Sequence, residues 1–226
     1  MIAVKNVAKR FTLHTQGGVR LDVMAGVTLR VAAGECVALT GPSGAGKSTL
    51  MRMIYGNYLA SAGRIKIGGV EITTASPREI MALRRVTLGY VSQFLRILPR
   101  VPALQVVAEP LLALGAPAAE AEARAAELLR RLRIPTALWT LSPLTFSGGE
   151  QQRVNIARGF VHPYPALLLD EPTASLDAAN RATVLDLIAE AKARGAAIVG
   201  IFHDIDARAR VCDREVDLGV RPGETR

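Results

Sequence analysis

Apolar and polar residues alternate through "MIAVKNVAKRF" at the start of the chain and again through "LDVMAGVTLRV", the period-two pattern of half-buried strands. The run "GECVALTG" is apolar and ends in glycine, which predicts a short strand buried on both faces. After it, "LMRMIYGNYL" takes helical spacing and stops near "ASAGRIKIGG", whose glycines return the chain to turn and strand. A short helix is expected from Pro77 to about Arg85, followed by the strand "TLGYVSQ".

From about Phe94 to Leu144 the character changes. This stretch is rich in Ala, Leu, Arg and Glu, and "PAAEAEARAAELLRRL" is an amphipathic helix. It predicts a mostly helical subdomain inserted into an α/β core. From Gly149 onward the pattern is again that of a parallel sheet. Helix "EQQRVNIARGFV" leads to strand "ALLLDE", and helix "AANRATVLDLIAEAKAR" leads to "AAIVGIF", read as the final core strand. The tail after Asp217, "LGVRPGETR", is expected to fray.

Composition adds bounds. With 226 residues, half of them apolar, the chain can bury a full core as one large domain or two small subdomains. The net charge of +8 permits an anionic partner, but the basic residues are scattered, and no basic stripe points to nucleic acid. Cys36 and Cys212 lie far apart in apolar surroundings, outside any metal-ligand spacing, and read as reduced packing residues of a cytoplasmic protein. No segment approaches the roughly 20 apolar residues needed to cross a bilayer. Any membrane contact is therefore expected to go through another chain.

The chemistry begins with "GPSGAGKST", Gly41 to Thr49, a full match to GxxxxGK followed by Ser or Thr, set between a strand and a helix. Gly41, Pro42, Ser43, Gly44, Ala45 and Gly46 form a loop whose backbone N–H groups can point inward at phosphate oxygens. Lys47 then reaches the β and γ phosphates, and the Ser48 hydroxyl is placed to ligate Mg2+, with Thr49 beside it. A nucleoside triphosphate with Mg2+ is the expected ligand. A second element, "ALLLDE", ends in Asp170 and Glu171. At the carboxyl end of a buried strand Asp170 can hold the metal's water shell and Glu171 can polarise an attacking water. A third, "FSGGEQQR" from Phe146 to Arg153, places Ser147, Gly148, Gly149 and Glu150 at the start of a helix. One triphosphate site seldom needs two such cradles, so the second is expected to close on a nucleotide held by a second copy.

These pieces, in this order and over essentially the whole chain, resemble the nucleotide-binding subunits of the ATP-binding cassette (ABC) family. The resemblance implies a P-loop NTPase of the α/β class with an N-terminal antiparallel β subdomain. The core would occupy 1–93 and 154–226, and a helical subdomain carrying the signature motif would occupy 94–153. It makes ATP the nucleotide, Gln93 the Q-loop glutamine near metal and catalytic centre, "SLD" at 175–177 the D-loop with Asp177 near nucleotide, and His203 the switch histidine. Without it, His203 reads as an ordinary strand-end histidine. The resemblance also places Phe11 on adenine, while an aromatic ending an N-terminal strand equally fits core packing. Two cassettes would pack head to tail around two ATP molecules. The usual signature reads LSGGQ, whereas this chain has Phe146 first and Glu150 fifth, with the phosphate-facing Ser147 and glycines intact.

In "SQFLRILPR", Ser92 to Arg100, apolar residues interleave with two arginines and a proline, which suits a surface made to touch another protein. Together with "NIARGF" it is similar to ABC-type subunits of the bacterial carbon-phosphorus lyase pathway. That resemblance implies soluble partner subunits and a role in forming ribose 1-methylphosphonate 5-triphosphate from ATP and an alkylphosphonate. The alternatives are a transporter ATPase of the lipoprotein-release or macrolide-export type, and a cassette that remodels a nucleic-acid complex.

Overall fold

The computed structural model describes residues 1–13, 15, 17–95 and 99–219. Arg96, Ile97 and Leu98 of the expected contact segment, and the tail from residue 220, lie outside the described residues.

Two sheets organise the chain. β1 (Ile2–Leu13), β2 (Val19–Val31), β4 (Ala62–Ile67) and β5 (Val70–Glu71) form an antiparallel sheet in the order β2-β1-β4-β5. A parallel sheet has the order β6-β7-β8-β3-β9, with β3 Cys36–Thr40, β6 Leu88–Val91, β7 Ala166–Asp170, β8 Ala197–Ile201 and β9 Arg214–Asp217. Its helices are α1 (Lys47–Ile54), α2 (Pro77–Val86), α3 (Ala103–Ala113), α4 (Ala118–Arg131), α5 (Gly148–Phe160), α6 (Ala178–Ala193) and α7 (Ile205–Val211). The expected boundary at residue 153 falls inside α5.

The parallel strands show why their sequences are continuously apolar. Successive side chains point to opposite faces, and each face meets its own core. Val37, Leu39, Leu168 and Val199 pack with α1 and the antiparallel sheet. Cys36, Ala38, Leu167, Leu169 and Ile198 pack on the other side with α3 to α6. A polar residue on either register would thus be buried. α4 matches its apolar spacing, since Ala121, Ala125, Leu128 and Leu129 are its buried positions. Ser76 and Glu79 close a capping box ahead of α2, with Pro77 opening the helix.

The structure corrects the expectation that "AAIVGIF" is the final core strand: β9 follows it and pairs in parallel with β3. Its sequence "REVD" is largely exposed and has no apolar run, so neither it nor α7 announces itself. α1 also ends at Ile54, earlier than "LMRMIYGNYL" suggests, because Gly56 turns with φ +76°.

α5 lies unusually close to β6. A Cβ added at Gly159 would stand 2.3 Å from Cγ2 of Val91, a fully buried strand residue with nowhere to move. Gly159→Ala should therefore destabilise the chain by roughly 1–3 kcal/mol, read as a lower urea midpoint with unchanged slope. An unchanged midpoint would contradict this packing.

Candidate functional site

In a parallel sheet all strands end at one edge, so the carboxyl ends of β3, β7 and β8 deliver their loops side by side. β3 leads through Gly41 to Gly46 into α1. Gly46 is the N-cap in the left-handed region at φ 91°, and no side chain caps the helix. Its first backbone N–H groups are therefore free for an anion, and the helix dipole favours one. Met24 and Val23 of β2 press against Gly46, where an added Cβ would meet Met24 at 2.7 Å. Lys47 folds over the loop, its ammonium donating to the carbonyls of Gly41 (2.7 Å) and Pro42 (2.9 Å). Beside the loop opens a cavity of about 1140 Å³, lined among others by Pro42, Ser43, Gly44, Ala45, Arg10 and Met24.

The strand beyond β8 brings the acids. Asp170 closes β7 and is only 4 % exposed. The Tyr90 hydroxyl donates to its Oδ2 at 3.1 Å, while Oδ1 is buried without any hydrogen-bond partner. Burial pushes the Asp170 carboxyl above the usual carboxylate range, and the Tyr90 hydrogen bond opposes this. A buried carboxylate oxygen with no partner is costly unless a cation or its water shell supplies one. Glu171 follows with φ 54°, a backbone region rare for a carboxylate residue, and its N–H donates to the carbonyl of Ile201 at the end of β8. Its side chain is held at both oxygens: His203 Nε2 lies 2.8 Å from Oε1, and the Gln93 amide donates to Oε2 at 3.3 Å. Three residues from three loops, 93, 171 and 203, thus meet at one carboxylate.

The second cradle lies elsewhere. Ser147 is the N-cap of α5, and its hydroxyl and N–H both donate to Glu150 Oε2, at 2.7 and 2.9 Å. These bonds draw the Glu150 carboxyl below its ordinary range. Gly148 faces open space and Gly149 lies near the Ser175 carbonyl, 3.4 Å from where a Cβ would sit. Asp177 caps α6 by accepting from the Asn180 N–H at 2.7 Å, which lowers its carboxyl. None of residues 147–150 lines the cavity at the phosphate loop. Ser48 and Thr49 sit in the first turn of α1, at the same sheet edge as Asp170.

Phe11 lies near the end of β1. Its ring packs edge-on against Tyr58 at 5.5 Å, with the Lys9 ammonium 4.6 Å above it, and it is absent from the cavity lining. Its ring is only partly buried, so the packing contact and a stack on adenine both stay open.

Three residues escaped the sequence reading. Tyr90 holds Asp170; the Asn155 amide donates to the Ser92 carbonyl at 2.5 Å; and the Gln152 amide donates to the Glu171 carbonyl at 3.4 Å. Tyr90 sits inside the strand "LGYV", where an aromatic looks like core. Gln152 and Asn155 stand out only as polar residues on the buried face of α5.

The family described as ABC transporter matches residues 24–174. The ATP-binding protein LolD of the lipoprotein-releasing system of Jannaschia sp. (strain CCS1) is 42% identical over 199 residues, covering 88% of this chain and 87% of that protein. The macrolide export ATP-binding/permease protein MacB of Brucella melitensis is 35% identical over 218 residues, covering 96% of this chain but 33% of that longer protein. A dimeric ATP-binding cassette in a post-hydrolysis state, bound to ADP and Pi, superposes with a TM-score of 0.88 at 30% identity, covering 97% of this chain and 95% of that one. The uncapped helix, the unpartnered Asp170 oxygen and this agreement fit one ligand set, ATP with Mg2+. The chain belongs to the ABC transporter family and has the fold of its ATP-hydrolysing cassettes.

Proposed function

We propose that two cassettes, this chain with a second copy or a related subunit, close head to tail on two ATP molecules, and that Glu171 is the general base for hydrolysis. The observation that carries this is the Glu171 carboxylate, held by His203 and Gln93 at the sheet edge that presents the phosphate loop. Glu171 takes a proton from the water that attacks the γ-phosphate. His203 and Gln93 fix its direction. Lys47 moves from the Gly41 and Pro42 carbonyls to the phosphates, and the loop N–H groups and α1 terminus orient them. Bound Mg2+ would supply charge neutralisation on the phosphates, with Ser48, Asp170 and Gln93 as the residues that hold it or its waters. Ser147, Gly148 and Gly149 serve the nucleotide of the opposite cassette, which fits their absence from the cavity of their own chain. Glu150 and Asp177 stand beside that junction.

The work done with ATP depends on a partner. Among the described residues no helix is long and apolar enough to cross a membrane. Phe94, just after Gln93, is 72 % exposed, and a separate groove of about 810 Å³ between α2, α3 and α5 is lined by Met81, Arg78, Arg85, Glu109 and Arg158. Similarity to LolD and MacB favours a membrane partner, as in lipoprotein release or macrolide export. That reading has the broader support. A second reading, a carbon-phosphorus lyase subunit among soluble partners, is favoured by "SQFLRILPR" and "NIARGF". In that setting the glycosyl-transfer chemistry belongs to the partners, since nothing in this site is built for it.

Glu171→Gln should keep ATP binding, abolish turnover and trap an ATP-bound dimer in size-exclusion chromatography. Hydrolysis at the parent rate would remove Glu171 from the role of base. Lys47→Ala should weaken ATP binding by about 10-fold or more, the size of a lost charge-assisted contact. An unchanged Kd in titration calorimetry would count against the loop assignment. Tyr90→Phe should raise the Mg2+ concentration for half-maximal ATPase by roughly 3- to 10-fold, since one hydrogen bond to a charged group is lost. No change there would mean that Tyr90 does not hold the metal-facing carboxylate. Pull-down of tagged Glu171→Gln with Mg-ATP from phosphate-starved cells separates the partner readings. An integral membrane protein supports the first, and soluble carbon-phosphorus lyase subunits support the second.

A further inference from the structure

Cys36 opens β3 and is fully buried, and Cys212 follows α7 just ahead of β9. The two are 176 positions apart in the chain, yet their sulfurs lie 3.6 Å apart and both are free thiols. The backbone around them is already clamped. The Cys36 N–H donates to the Asp213 carboxylate at 2.9 Å, and the Asp213 N–H returns a bond to the Cys36 carbonyl at 2.8 Å. Lys192 closes the group, donating to Asp213 Oδ1 at 2.5 Å and to the Val211 carbonyl at 3.4 Å. The two thiols differ in reach and in charge. Cys212 is only half-buried, while Cys36 sits in the core. The contact between them pulls the Cys212 thiol below its ordinary range, helped by Lys192, and the same contact together with burial pushes Cys36 far up.

We infer that Cys36 and Cys212 are a reversible redox pair, oxidised by a small-molecule disulfide such as oxidised glutathione, whose disulfide staples the edge strand β9 to β3. Cys212 is the sulfur that a soluble oxidant reaches first. Its thiolate attacks one sulfur of the glutathione disulfide, the sulfur–sulfur bond breaks, and one glutathione leaves as a thiolate that takes up a proton. Cys36 then gives up its proton and attacks the Cys212 sulfur, expelling the second glutathione as a thiol. Two protein thiols lose two electrons and two protons, and one glutathione disulfide becomes two thiols. The sulfurs need only close from van der Waals contact to a bond of about 2 Å, with the backbones already neighbours.

The staple acts where the fold is least supported. β9 pairs with β3 alone, its residues are largely exposed, and its end carries the turn whose Leu218 N–H donates to the Thr40 carbonyl. The cysteines lie at the opposite end of β3 from the phosphate loop, about 16 Å away for a five-residue strand. The bond forms at the far end, while Val216, Asp217 and Leu218 at the near end of β9 line the cavity beside the loop.

The test incubates the folded full chain with oxidised glutathione, quenches with acid, and reads intact mass, disulfide-linked peptides and the thermal melt. The parent chain should end lighter by two hydrogens with no glutathione attached, and a peptide pair should link Cys36 to Cys212. Its Tm should rise by roughly 5 °C or more, and dithiothreitol should reverse both changes. Cys36→Ala should stop as a glutathione adduct on Cys212, and Cys212→Ser should stay unmodified. A parent chain that stops at the adduct, keeps both thiols free while folded, or links only to another chain would overturn the inference. So would a linked form that melts lower. The peptide map of the parent chain decides the matter even if a variant fails to fold.

Discussion

A carboxylate with one oxygen left bare inside the protein is the constraint around which the site is arranged. Asp170 closes a strand buried on both faces, so its side chain enters the low-dielectric interior by the logic of the sheet itself. Tyr90 satisfies one oxygen, and among the described residues nothing satisfies the other. Burial alone would drive the group toward its neutral form, as its raised pKa records. A divalent cation reverses that balance, because it favours the charged carboxylate that burial disfavours. The interior is thus left incomplete in the way that a cationic ligand completes.

Helix N-termini show the same division of labour. α2, α5 and α6 each begin with a side chain that accepts from their own first turn: Ser76, Ser147 and Asp177. α1, behind Gly46, has none, and neither do α3 behind Pro102 and α4 behind Pro117. What sets α1 apart from those two is the glycine loop ahead of it, which brings backbone N–H groups to the same place as its first turn. The two cradles therefore differ in kind. The one at α1 is open within its own chain, whereas the one at α5 is occupied by Glu150, whose carboxylate already sits on the Ser147 hydroxyl and N–H.

Much of this was legible in the sequence, and what was not follows from what sequence can record. The phosphate loop, the acidic pair and the helix start at Ser147 are contiguous and carry their own flanking elements, so "GPSGAGKST", "ALLLDE" and "FSGGEQQR" each announced place and chemistry together. β9 stayed hidden because a short edge strand buries little, and "REVD" has no apolar run to mark it. Tyr90 looked like core because an aromatic in a strand usually is; its hydroxyl's partner lies 80 positions away. Cys36 and Cys212 looked unrelated for the same reason, since spacing along the chain says nothing of parallel strands that meet through a crossover. The face of β1 that Phe11 takes was equally hidden, because the bulges in the β1–β2 pairing set its register.

The close seating of α5 on β6 gives the fold a lever. Gly159 lets the helix touch Val91, and Asn155 fastens its middle to the Ser92 carbonyl, immediately before Gln93. Ser147 stands at the far end of this 13-residue helix, about 18 Å from Gly159. A tilt of α5 about its contact with β6 would therefore move Ser147 further than any residue near Gly159. In the proposed pair of cassettes, such a tilt would carry the serine cradle toward or away from the opposite chain.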